Sequence, residues 1–182
     1  MAAWITGDNS NLYMEAQRVS AVQRGLVADI GAAMQTDTRD KAYRLRFAAL
    51  RHALVAAVGA EARAVARAVL FGSHGSADAG IWSFARAEGF ETMAEERAWG
   101  RREKRVDTGL VTEMLRDAYT RAADGDTFVL AAGDGDYVPA VRALRGDGVD
   151  VRVVFWDHAA APLKKAAAPF IPLDPHLDAL RL

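Results

Sequence analysis

The sequence predicts a three-layer α/β domain, a parallel sheet of about five strands with helices on both faces. Three observations carry this. Short apolar runs recur at 2–6, 68–71, 127–132 and 151–155, and strands buried on both faces read as such continuous runs. Helical patterns alternate with them, and hairpin signals are few. Acids stand at the ends of two runs, Asp8 after the first and Asp134-Gly-Asp136 after the third. A strand interior is a costly place for a carboxylate. These acids therefore belong at the carboxyl ends of strands, where ligands bind in α/β folds.

Taken in order, the first strand leads into a long helical stretch, 12–59. Leu26 and Ile30, then Leu45, Ala49, Leu50, Ala53, Leu54 and Ala57 recur there at helical spacing, with Thr36-Asp-Thr38 as a cap signal. A long helical insert at about 14–60 thus separates the first two strands. A weaker strand, 90–94, follows Glu88-Gly89, and helices are expected at 79–88, 107–123 and 139–145. Pro139 suits a first helical turn, where no N–H is needed. Arg145-Gly-Asp-Gly148 turns the chain into the strand at 151–155. Residues 159–175, rich in Ala and Pro, read as a last short helix and tail.

The 182 residues suffice for one well-buried domain, 1–182. Half the chain is apolar and the net charge is −1, which excludes a polyelectrolyte-like nucleic-acid binder but not a local basic patch. Without cysteine there is no disulfide or thiolate chemistry. No leader pattern opens the chain and no run reaches membrane-spanning length, so a cytoplasmic location without membrane contact is expected.

Asp107 begins the helical pattern of 107–123, and Val111, Met114 and Ala118 fall within roughly 40° of its direction. It can serve as an N-cap or point a carboxylate along the buried face. Asp8 and Asp134/Asp136 likewise admit turn and cap roles. Acids converging from separate elements, with no cysteine or HxH motif, instead describe an oxygen-ligated divalent cation site. The run Arg97, Arg101, Arg102, Lys104, Arg105, with Trp99, lies just upstream of Asp107. It reads either as a solvated loop or as a phosphate-tracking strip with an aromatic for stacking. The four histidines show no ligand spacing, and His74 reads as a turn residue after the second strand.

Three ordered motifs resemble one family. Asp8-Asn-Ser-Asn11-Leu-Tyr13 is similar to the first-strand signature of the NYN domain, a branch of the PIN-like nucleases. Lys104-Arg-Val-Asp107 with Glu113, and Gly133-Asp134-Gly-Asp136-Tyr-Val-Pro139 followed by Gly148-Val-Asp-Val151, resemble its later blocks. Ala132 stands where Ser or Thr is usual, Ala168 where Asp often precedes Phe-Ile, and Gly7 before Asp8 is unusual.

The resemblance implies a Rossmann-like fold with strand order 3-2-1-4-5 and an endoribonuclease dependent on Mg²⁺ or Mn²⁺. It carries Asp8, Asp107 and Asp134 over as metal ligands and Asp136 as a ligand through water or an orienter of the nucleophile. Asn11 would be supporting, and Glu113 a weaker supporting acid. Arg101, Arg102, Lys104 and Arg105 would track RNA, and a homo-oligomer is compatible. A dinucleotide fingerprint, a P-loop and the paired first-strand acids of aspartyl-phosphate hydrolases are all missing. The rival expectation is a catalytically silent module of this fold that binds RNA or protein.

Overall fold

The apolar runs become strands of one sheet in the computed structural model, which describes residues 1–59, 64–74, 79–96, 103–167 and 169–182. The strands are β1 (Ala2–Asp8), β2 (Ala64–His74), β3 (Glu91–Glu96), β4 (Thr127–Ala131), β5 (Asp150–Phe155) and β6 (Phe170–Pro172). Their order is β3-β2-β1-β4-β5-β6, with every pairing parallel. The five expected strands stand in the implied order, and β6 extends the sheet at one edge. The sequence reading of 159–175 as helix and tail is corrected there: α7 (Ala161–Ala166) is followed by this three-residue strand against β5. Three residues are too few for alternation to register, and pairing with β5 alone defines the strand.

Successive strand side chains serve opposite faces. Ala3 and Ile5 of β1, with Leu70, Val129 and Phe155, join one apolar cluster under α1 (Asn9–Gln23), α3 (Phe47–Ala56) and α4 (Ala79–Ala87). Trp4, Val69, Phe128, Leu130 and Val153 join the other. That second face is covered by α5 (Glu103–Thr120), α6 (Val138–Gly146) and α7, through residues such as Leu110, Met114, Val141 and Leu163.

The long helical stretch breaks into three, with α2 (Ile30–Thr36) between α1 and α3. Gly25, at φ +68°, ends α1. The Leu26 N–H bonds Ala21 O and the Gly25 N–H bonds Val22 O, the paired closure that a left-handed residue after a helix permits. Asp29 caps α2 by accepting from the Ala32 N–H at 2.8 Å. The insert is pinned through buried Asp40, which accepts from the Ser20 hydroxyl at 2.7 Å, from Arg24 and from the Ala42 N–H. Those bonds, the Ser20 hydroxyl first, hold its carboxyl down to about 2.

On the second face Arg67 of β2 gathers three acids: Glu91 of β3, and Glu113 (3.0 Å) and Asp117 (2.9 Å) of α5. Asp117 is buried and has Arg121 as its other cation. Arg67→Met is expected to lower stability by about 2 kcal/mol, because a buried carboxylate loses a partner. A urea unfolding midpoint unchanged from wild type would show that Arg121 alone suffices.

Candidate functional site

Asp8 is the last residue of β1 and also the N-cap of α1, its carboxylate accepting from the Asn11 N–H at 3.0 Å. One residue earlier, Gly7 pairs with Ala131 of β4, so the ends of β1 and β4 lie side by side. The chain leaves β1 toward β2 on one side and β4 toward β5 on the other, and ligands bind at such a divergence. The unusual Gly7 has a packing reason. A Cβ there would meet Leu70 Cδ2 at 2.9 Å and Ala131 Cβ at 3.2 Å.

Beyond β4, the Gly133 N–H donates to Asn11 Oδ1 at 3.2 Å, tying the first turn of α1 to the β4 exit. Asp134 caps the single 3-10 turn Gly135–Tyr137, accepting from the Asp136 N–H at 3.3 Å. That turn returns Tyr137 inward, where it is fully buried. Its hydroxyl lies 2.7 Å from Asp107 Oδ1 and 3.4 Å from Asp8 Oδ2. The hydroxyl has one proton, and the shorter contact makes Asp107 its main acceptor.

Asp107 stands one turn inside α5 rather than at its start, since the helix begins at Glu103. The N-cap reading of Asp107 is thereby corrected. On the expected face Met114 is buried and Val111 and Ala118 pack against the same cluster, while the Asp107 carboxylate accepts from the buried Tyr137 hydroxyl. Asp8 and Asp107 thus arrive from two elements and meet across the phenol of a third.

The electrostatics of the pair follow from burial. Asp8 is pushed up from its ordinary 3.8 to about 6, chiefly by desolvation. The Asn11 N–H opposes the rise and the Asp107 charge adds to it. The Tyr137 phenol is driven far above its usual range by burial, then by the Asp8 charge and the bond to Asp107. It stays protonated as a donor.

Of the four expected aspartates, the structure joins Asp8 and Asp107 through Tyr137. Asp134 and Asp136 are exposed, and among the described residues no group of three or more His, Asp or Glu is placed to hold a metal ion. Asp134 caps its own turn, as Asp8 caps α1, and Tyr137 takes the inward place of that turn. Glu113 is also removed from the pair, held by Arg67, whose hydrogen bond keeps its carboxyl below the usual range. Arg97, Trp99, Arg101, Arg102 and Ala168 lie outside the described residues, while Lys104 and Arg105 fall in the first turn of α5.

Two features escaped the sequence reading. Asn9 is buried, and its amide oxygen has no hydrogen-bond partner among the described residues. In the loop after β5, His158 Nε2 lies 2.7 Å from Glu15 of α1, whose other oxygen takes Arg18. The histidine and glutamate are 143 positions apart, beyond any local motif. The side-chain groups joined at Asp8, the Asp107 carboxylate and the Tyr137 hydroxyl, present hard oxygens. Two carboxylates fit a Mg²⁺-like cation, which takes one or two carboxylates and keeps several waters.

A family model of the NYN domain matches residues 8–174. No curated protein matches the chain.

Proposed function

The chain belongs to the NYN domain family, and on that premise we propose that it is a metal-dependent endoribonuclease that hydrolyses RNA phosphodiester bonds. The observation that carries this reading is the pair Asp8–Asp107, joined through Tyr137 at the sheet's point of divergence. Mg²⁺ or Mn²⁺ would be held by Asp8 and Asp107, and when bound it would polarise the phosphate and acidify a water.

The chain's own groups prepare the place. The Asn11 N–H fixes Asp8 Oδ1, and the Tyr137 hydroxyl fixes Asp107 Oδ1. Asn11 Oδ1 holds the β4 exit in register with them through Gly133. Asp134 and Asp136, exposed beside this exit, act on the incoming water or on further cations from solvent. Arg101, Arg102, Lys104 and Arg105 immediately precede Asp107 and guide the RNA backbone toward it.

The test is incubation with single-stranded and structured RNAs, with and without Mn²⁺. Cleavage that survives EDTA and Asp107→Asn removes the metal mechanism. Saturable RNA binding without cleavage under any divalent cation selects the silent-binder reading. Replacing Arg101, Arg102 and Arg105 by Ala is expected to weaken RNA binding. The slope of log affinity against log salt should become shallower by about 2, for three phosphate contacts on a single strand. An unchanged slope returns the strip to a solvated loop.

A further inference from the structure

Away from the aspartate pair, a groove of about 800 Å³ opens between α3, the β5–β6 edge of the sheet and the C-terminal segment. The helix contributes Ala49, Ala53 and Ala56, the sheet Val154 and Ile171, and the C-terminal segment Leu180. The groove exists because α3 is held at both ends while its outer side chains are too short to fill the gap. At the start of the helix, Arg46 donates to Ala179 O at 2.9 Å. At its end, Arg152 Nη1 donates to Ala57 O and Val58 O at 2.9 and 3.0 Å.

Protein interiors close such gaps with longer side chains, since unfilled apolar surface forfeits packing. Size and lining match those of small-molecule sites, mostly apolar with a few polar groups. The polar groups are of one kind. Arg46, His52, Arg152 and His176 line the groove, and no Asp or Glu does among the described residues. Arg152 already has its counter-charge in Asp150, at 3.0 Å. Arg46 makes no ion pair among the described residues, and a ligand's anion belongs at that end.

We propose that this groove binds an amphipathic monoanion, a single carboxylate on an unbranched apolar chain, with the chain along the alanines of α3 and the carboxylate at Arg46. The site is independent of the Asp8–Asp107 pair and of the reaction assigned to it.

Decanoate, decanol and acetate, each titrated into the full chain by isothermal calorimetry with NMR shift mapping, test the proposal. Decanoate should bind saturably with shifts at α3, β6 and the C-terminal segment, and acetate should not bind. Decanol should bind at least tenfold more weakly than decanoate, and Arg46→Gln should remove that difference. Ala53→Trp, which fills the floor, should abolish binding. Ala56→Phe, at an exposed position that tolerates a larger side chain, repeats the test if the first variant folds poorly. Absence of saturable decanoate binding, or binding that survives the filled groove, overturns the proposal. Decanol binding as tightly as decanoate overturns the assignment of an acid. A concentration-dependent dimer lost in Ala56→Phe makes the occupant a second copy and also overturns it.

Discussion

Asp8→Asn is expected to abolish RNA cleavage and, in EDTA, to melt at a higher temperature than wild type at neutral pH. The two effects separate a ligand from a structural acid. Asn caps a helix about as well as Asp, so the Asn11 N–H keeps its acceptor while the buried charge disappears. The folded carboxyl titrates at about 6 against an ordinary 3.8. For an acid raised on folding, the native state binds more protons between those values, and wild-type stability falls as pH rises through that window. Below pH 4 the carboxyl is protonated folded or unfolded, and the variant has no advantage. Above pH 6 the gap reaches its full size, about 3 kcal/mol for a shift of this magnitude. Melting curves at pH 4, 5, 6 and 7.5 would check it. A variant less stable than wild type at every pH makes Asp8 a cap and no more. Mn²⁺ should raise the wild-type melting temperature at pH 7.5 and leave the variant unmoved.

Gly133→Ala is expected to destabilise the protein by about 3 kcal/mol or more, the upper end for overpacking. A Cβ at this position would lie 2.1 and 2.2 Å from Cε1 and Cδ1 of Phe155, and that ring is itself buried. Relief requires the β4 exit to move, which breaks the Gly133–Asn11 bond. Cleavage should therefore fall along with stability. The clash has one partner, so it should vanish without it: in a Phe155→Ala background the same substitution should cost almost nothing. Urea unfolding of the four proteins of this cycle measures the coupling. Additive costs would show that the loop, rather than the ring, resists the extra methyl group.

These two residues mark how far the candidate site was legible. Asp8 was found because an acid closing an apolar run is a local pattern with a plain meaning. Gly133 was visible only as part of a motif, and the ring that requires it comes from the next strand. Tyr137 stands beside two aspartates in its motif, and nothing local shows that it joins the pair. Asp-Gly-Asp ahead of a helix can be a ligand pair or a capped turn, and only the structure shows that Asp134 caps the turn that sends Tyr137 inward. Glu113 enters only through a motif, and Arg67, on another strand, decides its partner.

The sequence by itself determined the layers, the strand alternation and the sheet end at which the acids stand. Each of these depends on which residues can be buried, and burial is written in short apolar runs and in the acids that end them. Only the tertiary structure decided which carboxylates meet. Tyr137 reaches Asp107 across 30 positions and Asp8 across 129, and that meeting depends on where α5 docks on the sheet. It depends equally on the turn capped by Asp134, which sends Tyr137 inward. The sixth strand and the groove beside it were settled the same way, by pairing with β5 and by hydrogen bonds at both ends of α3. Local pattern states what each residue needs, whereas register and helix placement select the partner that meets the need.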